Sequence, residues 1–194
     1  RLRSAFHVTL YRLRRALGVH DCVLYDNEQY MFNRQLDYWF DVEEFESLLT
    51  QAEQLLATRP QAAEDCAQRA LALYKGPFLE GMSYPNEEWY FWRREELDRR
   101  HLSGLQMLGD LRMARGDYAG ALEAYRRLLA GDSLREDVHR SVMRCLVSAG
   151  ERNAALRHYQ TLVSLLQQEL GVEPLPETVE LYHLIAAGRE EPVP

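Results

Sequence analysis

The segments GDYAGALEAYRRLLAG (residues 116–131) and GERNAALRHYQTLVSL (residues 150–165) are two versions of one pattern. Four pairs of matching residues are each separated by 34 positions: Gly116 and Gly150, Ala121 and Ala155, Leu122 and Leu156, and Tyr125 and Tyr159. Apolar residues recur at helical spacing before and after each glycine, so each unit is predicted to be a helix, a turn and a second helix. Repeated units of this kind stack on one another and bury a continuous core.

A 34-residue period of helix–turn–helix units is the signature of tetratricopeptide repeats. Gly109 lies seven residues before Gly116, where that repeat needs a small residue for close helix contact. The small Ala121 and the large Tyr125 are then expected to interlock with the preceding helix. Met143 replaces the small residue in the second unit, so the repeat is degenerate.

The predicted elements outside the two repeats are also mostly helical. Helices are expected over residues 2–17, from Asp41 onward, over 62–74, over 86–114, and after Pro174 and Pro176, where the last helix caps the stack. Residues 23–25 and 29–32 are expected to form a β-hairpin around a turn at residues 26–28. A Gly- and Pro-rich loop spans residues 75–87. The fold class is therefore mostly α, a tetratricopeptide-like stack preceded by a short helix and hairpin.

The composition excludes several classes of protein. The 194 residues are 46% hydrophobic and 27% charged, with no apolar run near 18 residues and no signal peptide, so we expect a cytoplasmic protein without a membrane segment. The three cysteines are far apart and are expected to be reduced thiols. No phosphate loop, HExxH or GxSxG motif occurs, and the histidines are scattered, so no enzyme activity, metal or cofactor is predicted.

Charge is distributed unevenly along the chain. Residues 1–18 hold five arginines and no acid, a charge of +5, whereas the total is −7 and the remainder therefore −12. A basic segment in an otherwise acidic chain suggests that only this segment binds a polyanion. Charge alone does not distinguish such a segment from an ordinary helix face that is exposed to solvent. Phe6, Leu10, Leu13 and Leu17 form one apolar ridge of the helix, and the opposite face carries Ser4, Val8, Tyr11, Arg12 and Arg15.

From about Asp41 to Ala187 the chain resembles the bacterial transcriptional activator domain, an all-helical, tetratricopeptide-like module. The resemblance rests on ALALYKGPFLEG (70–81), EEWYFWRREEL (87–97) and SLREDVHRSVMRCLVSAGERNAALRHYQTLVSLLQQELGVEPLPET (133–178). In this family, as in the SARP-type antibiotic regulatory proteins, the module follows a winged helix-turn-helix of the response-regulator type. VTLYRLRRALG (8–18) resembles the second half of that recognition helix, and VLYDNEQYMFN (23–33) resembles its wing. On this resemblance we expect a chain cut within its DNA-binding domain.

The resemblance implies a role in DNA binding for seven residues of the helix. Arg12 is expected to read a guanine edge in the major groove, and Val8 to touch a thymine methyl group. Phosphate contacts are expected from Ser4, Thr9, Tyr11, Arg14 and Arg15. For Arg14, which flanks the apolar ridge, an intramolecular contact is an open alternative. Asn27 or Gln29 of the wing could reach an adjacent groove, although Asp26 and Glu28 disfavour it.

Three regions are thus predicted: a partial winged helix-turn-helix (1–38), the tetratricopeptide-like activator domain (39–189) and a tail (190–194). The predicted function is that of part of a DNA-binding transcriptional regulator, which the resemblance implies to be an activator. Its helical module would contact a protein partner such as RNA polymerase or another regulator domain, or a second copy in a homodimer. The alternative is a tetratricopeptide interaction scaffold that does not bind DNA. The +5 charge and the wing-like hairpin favour the regulator, because a linker needs neither.

Overall fold

The computed structural model describes residues 2–81 and 88–188, with side chains over 5–81 and 90–188. The tail at 190–194 and the second part of the predicted loop, 82–87, lie outside these ranges. The chain divides into two compact units, residues 1–40 and 41–194. The elements are α1 (Leu2–Leu17), β1 (Val23–Asp26), β2 (Gln29–Phe32), α2 (Asp41–Leu55), α3 (Pro60–Leu73), α4 (Glu88–Ala114), α5 (Tyr118–Gly131), α6 (Glu136–Ser148), α7 (Arg152–Glu169) and α8 (Pro176–Ala186).

The hairpin of the first unit differs from the prediction at its turn. The strands are antiparallel, with Asp26 paired to Gln29, so Asp26 belongs to β1 and the turn is only two residues long. Asn27 and Glu28 both have positive φ, 46° and 62°, as a type I′ hairpin turn requires. The sequence did not reveal this turn because glutamate, unlike glycine, rarely adopts that conformation.

The base of the hairpin is closed by a buried asparagine. The backbone N–H of Asn33 donates to the carbonyl of Cys22 (2.9 Å), and its side-chain oxygen accepts from the backbone N–H of Gln35 (3.1 Å). Asn33 is 6% exposed and Cys22 is 2% exposed. Since a buried polar group is costly unless it is hydrogen-bonded, these contacts fix where the hairpin begins and ends.

The second unit is the predicted stack of helix pairs. Helix α2 packs on α3, α4 on α5, and α6 on α7, while α8 packs on both α6 and α7. One core cluster lies at the α2 end and includes Phe45, Leu49 and Leu97. A larger cluster runs from α3 to α8 and ends with Leu181 and Ile185 of α8. The last helix therefore supplies apolar side chains to the core of the final pair.

The first repeat shows the expected close contact between a small and a large residue. Tyr125 is fully buried, and a Cβ added to Gly109 would lie 2.4 Å from its ring. The Tyr125 hydroxyl donates to Asp110 Oδ1 (2.6 Å). In the second repeat the fully buried Met143 takes the position of Gly109, and Tyr159 is only half-buried. Tyr159 instead stacks on Tyr182 of α8, with ring centroids 4.2 Å apart.

Enlarging the small position of either repeat is expected to destabilise the stack. Ala121 and Ala155 are both fully buried, so Ala121→Leu and Ala155→Leu should each lower the free energy of unfolding by about 2 kcal/mol through overpacking. Ala119→Leu, at an exposed position of α5, is the control and should change it by less than about 0.5 kcal/mol. Urea unfolding of the three variants measures this. Unchanged stability of both buried variants would mean that the repeat register is wrong.

The α8 helix is anchored by a polar contact with α6. Glu136 accepts hydrogen bonds from the backbone N–H of Leu175 (2.9 Å) and from the hydroxyl of Thr178 (2.7 Å). Arg140 donates to the same hydroxyl (2.9 Å), and Thr178 is fully buried. Because Leu175 immediately precedes α8, the carboxylate of Glu136 satisfies a backbone donor that a helix start leaves open.

A pair of histidines joins α6 to α7. Nδ1 of His139 lies 2.8 Å from Nε2 of His158, and Nε2 of His139 lies 3.0 Å from the carbonyl of Ser133. A neutral pair satisfies both contacts if His139 donates to Ser133 and accepts from His158. Burial, followed by the neighbouring His139 and then Arg126, lowers the pKa of His158 to about 4.

This arrangement predicts a loss of stability in mild acid. The unfolded chain binds the His158 proton near pH 6.5 and the folded chain only near pH 4, so the stability is fully present above about 6.5 and falls towards 4. Between about pH 7.5 and about pH 5 the loss should be about 2 kcal/mol for this residue. His101, whose pKa is also lowered to about 4, contributes likewise. His158→Gln should remove about half of the loss in urea unfolding, and an unchanged pH dependence would contradict this assignment.

Candidate nucleic-acid interface

One face of α1 presents polar and basic side chains to solvent. Val8 is 47% exposed and Tyr11 is 63% exposed, and Arg12 and Arg15 are both exposed. Leu10, on the other side of the helix, is 7% exposed. The structure thus brings four of the residues predicted to contact DNA onto the accessible side of one helix. The backbone of Ser4 belongs to α1, but its side chain lies outside the described residues.

The apolar ridge of α1 is only partly covered by the hairpin. Leu10 is buried, whereas Phe6, Leu13 and Leu17 remain 43–56% exposed. The ring of Phe6 lies 4.6 Å from that of Tyr30 on β2. An open cavity of about 660 Å³ remains between the ridge and the hairpin. The hairpin therefore sets the orientation of α1 through aromatic contacts while the basic face stays free.

Arg14 connects α1 to the hairpin. Its guanidinium donates to the backbone carbonyl of Val23, with Nη2 2.7 Å from the oxygen, and the side chain is half-buried. This is the intramolecular contact that the sequence left open for Arg14. Its Nε is buried and has no hydrogen-bond partner among the described residues. The role of Arg14 as a phosphate ligand stays a prediction.

Thr9 is exposed but already uses its hydroxyl within the helix. Its Oγ1 donates to the backbone carbonyl of Ala5 (3.1 Å), a contact that is common for threonine in helices. The same oxygen keeps its acceptor lone pairs, whereas a phosphate requires a donor. Thr9 would therefore have to rotate away from Ala5 to contact a phosphate group.

The tip of the hairpin is acidic. Asp26 accepts a hydrogen bond from the side-chain amide of Asn27 (3.3 Å), and Glu28 is exposed. The amide of Asn27 is thus partly occupied by a carboxylate that would also repel a phosphate. Base and phosphate contacts by the α1 face stay a prediction, and the acidic neighbours disfavour the predicted groove contact of Asn27 or Gln29.

The described residues include neither a membrane-spanning helix nor a metal-binding cluster. No helix in the described part combines the length and apolar composition that crossing a bilayer requires. Within residues 2–81 and 88–188, His, Cys, Asp and Glu side chains form no group of three or more that could hold a metal ion. Among the described residues of the first unit, the exposed face of α1 brings Arg12 and Arg15 together on one side of a helix.

The aromatic run of α4 divides between core and surface. Tyr90 is 3% exposed and lies beneath the guanidinium of Arg94, which is 5.0 Å from its ring centroid. Phe91 is 50% exposed and Trp92 is 76% exposed. The side chain of Trp89 lies outside the described residues. Core packing is found for Tyr90 but not for Phe91 or Trp92, because successive helical residues point in different directions.

Comparison with known proteins gives a consistent set of relatives. The regulatory protein AfsR of Streptomyces griseus is 34% identical over 122 residues, and that of Streptomyces coelicolor is 32% identical over 123 residues. Each match covers 63% of this chain but only 11% and 12% of the relative. The transcriptional regulator RedD of Streptomyces coelicolor is 30% identical over 138 residues, and the match covers 69% of this chain and 38% of RedD. The chain thus spans a minor part of the length of these relatives.

The fold and the family are established by two further matches. The solved structure of Mycobacterium tuberculosis EmbR in complex with a low affinity phosphopeptide has a TM-score of 0.81, over 99% of this chain and 51% of that one. At 18% identity this shows a shared fold. The model of the bacterial transcriptional activator domain matches residues 40–186, which is most of the chain. The chain therefore belongs to the bacterial transcriptional activator domain family.

Proposed function

We propose that this chain is the DNA-reading and protein-contacting part of a bacterial transcriptional activator. The observation that carries the proposal is the exposed face of α1, where the side chains of Tyr11, Arg12 and Arg15 are open to solvent and a wing-like hairpin follows the helix. The relatives, which are named as regulatory and transcriptional regulator proteins, support the same assignment. Residues 1–38 would be the recognition helix and wing of a winged helix-turn-helix, and residues 39–189 the activator domain.

In this proposal the α1 face lies in the major groove of DNA. Arg12 reads a guanine through O6 and N7, since arginine is the side chain that most often makes this contact. Val8 covers a thymine methyl group one turn earlier. Backbone phosphates are contacted by Ser4, Thr9, Tyr11, Arg14 and Arg15, which orient the helix without selecting a sequence.

The helical unit has a different role because of its charge. Residues 41–194 carry 17 Lys and Arg against 26 Asp and Glu, a net charge of −9. An acidic surface is repelled by DNA phosphates, so this unit would not extend the DNA interface. Stacked helix pairs instead form surfaces suited to peptides and protein helices. We assign it contacts with a protein partner such as RNA polymerase or another regulator domain, or with a second copy of the chain.

Selection from a pool of random DNA duplexes tests the proposal without knowledge of the promoter. The intact protein should enrich a recurrent short motif, and a footprint on that motif should protect bases in the major groove. A protein that only serves as a scaffold through its helical unit would enrich nothing above the starting pool. That result would reject DNA reading by α1 and favour the scaffold alternative.

A further inference from the structure

A cleft opens between α3 and α5, and α4 forms its floor. Its volume is about 400 Å³. Leu71, Leu108 and Ala124, all at most 3% exposed, form the apolar base. The size fits one or two side chains of a bound peptide rather than a large cofactor. None of the DNA-binding residues proposed above belongs to this cleft.

The polar lining of the cleft is rich in hydrogen-bond donors. It comprises Lys75, Arg112, Arg127, Gln68 and Glu123. Lysine and arginine donate and cannot accept, so a lining with three cations against the one carboxylate of Glu123 favours a ligand that supplies oxygen acceptors. A cationic rim is unusual in a unit whose net charge is −9.

Two of these cations differ from the third in their surroundings. Arg112 is held in place, because its Nε donates to Glu64 Oε1 (3.1 Å) and its Nη1 to the carbonyl of Gly120 (3.2 Å). Lys75 and Arg127 are exposed, and among the described residues neither makes a hydrogen bond or an ion pair. The Arg112 charge is thus met by Glu64, whereas Lys75 and Arg127 are available to a ligand.

The wall that joins the two available cations is rigid. Tyr74 lines the cleft directly before Lys75, and its hydroxyl donates to Asp98 Oδ1 (2.5 Å). His101 stacks on Tyr74 with ring centroids 3.9 Å apart. Burial lowers the pKa of His101 most, and the charge of the nearby Arg127 lowers it further. A rigid aromatic wall next to two unpaired cations reduces the entropy lost when a ligand binds.

We propose that this cleft binds an acidic segment of a partner protein, with Lys75 and Arg127 holding its carboxylates and the apolar floor receiving an aliphatic side chain between them. The acidic character follows from the donor-rich lining, and the aliphatic part follows from Leu71, Leu108 and Ala124. The cleft would thus be the part of the helical unit that binds a partner protein. This inference rests on the protein-contact role proposed for that unit and is independent of DNA binding by α1.

The test uses the intact protein and a dye-labelled synthetic peptide in which glutamates flank a central leucine. Lys75→Gln and Arg127→Gln should each weaken its binding about fivefold, as expected for the loss of one partly exposed ion pair. Arg126→Gln is the matched control, because Arg126 is exposed on the same helix and the change in net charge is identical. It should leave the dissociation constant within about twofold. A second peptide with glutamine in place of glutamate should bind much more weakly.

Lys75 also gives an independent readout, since it is the single lysine of the chain. Acylation of its side-chain amine, followed by mass spectrometry, should slow when the acidic peptide is present. The inference is overturned if Arg126→Gln weakens binding as much as Arg127→Gln, or if the glutamine peptide binds equally well. Protection of Lys75 by inorganic phosphate without any binding of the peptide would likewise reject a peptide site.

Different results would reject DNA reading by α1 and peptide binding in the cleft. Lys75→Gln and Arg127→Gln should leave the DNA sequence preference of the intact protein unchanged, because neither residue belongs to the α1 face. Loss of peptide selectivity with normal DNA selection would reject the cleft alone. Normal peptide binding without DNA selection would reject DNA reading by α1 and retain the cleft.

Discussion

Gly109→Ala is expected to destabilise the helical unit by about 3 kcal/mol, at the upper end of the range for overpacking, although alanine is the better helix former. The new methyl carbon would lie 2.4 Å from Cε1 of Tyr125, closer than any real contact. The ring cannot withdraw easily, because Tyr125 is fully buried and its hydroxyl is tied to Asp110. Helices α4 and α5 would have to separate, which opens the core of the first repeat.

Gly104→Ala in the same helix is the matched control for this prediction. Its added carbon would meet Cδ2 of Leu49 at 2.9 Å and Cδ2 of Leu71 at 3.3 Å, the ends of two leucine side chains that need to shift by only a few tenths of an ångström. The gain of about 1 kcal/mol in helix propensity should offset much of that cost. Urea unfolding compares the two variants with the parent protein. Equal effects of the two substitutions would show that Tyr125 does not enforce the close approach of α4 and α5.

The repeat region could be predicted well because its signal is local and periodic. The 34-residue interval specifies which residues are small and which are large, and Gly109 and Tyr125 meet as that interval requires. Tyr159 departs from the pattern because Met143 fills the space that Gly109 leaves open in the first repeat, a consequence of the substitution noted in the sequence. The spacing of the apolar ridge and the helix stop at Gly18 likewise predict helix α1 over residues 2–17, as the structure has it.

Contacts between distant residues could not be predicted from one sequence. His139 and His158 are 19 positions apart, and nothing in either helix indicates that their rings meet. Lys75 follows α3 and Arg127 lies in α5, so the cleft between them appears only once α4 has packed between the two helices. The Arg14 contact with Val23 depended on how the hairpin folds back onto α1, and the sequence left that alternative open.

Two substitutions on α1 should separate base reading from phosphate contact. Arg12→Ala in the intact protein should weaken binding to the selected motif by roughly 1–3 kcal/mol, about 5- to 150-fold, and relax the preference at one base pair. Arg15→Ala should weaken all sequences alike and reduce the slope of log affinity against log salt by about one. Titrations of motif and scrambled duplexes at two salt concentrations measure both effects. Equal losses on the two duplexes for Arg12→Ala would reject base reading by this residue.

Methylation of guanine N7 by dimethyl sulfate tests the central claim most directly, because N7 lies in the major groove and is one of the two atoms that Arg12 is proposed to contact. On the selected motif, the intact protein should protect one guanine per α1 from methylation. In Arg12→Ala, at concentrations that keep the duplex occupied, that guanine should become reactive again while Arg15→Ala leaves it protected. A motif without any protected guanine would contradict the placement of α1 in the major groove, and protection that Arg12→Ala does not alter would contradict base reading by Arg12.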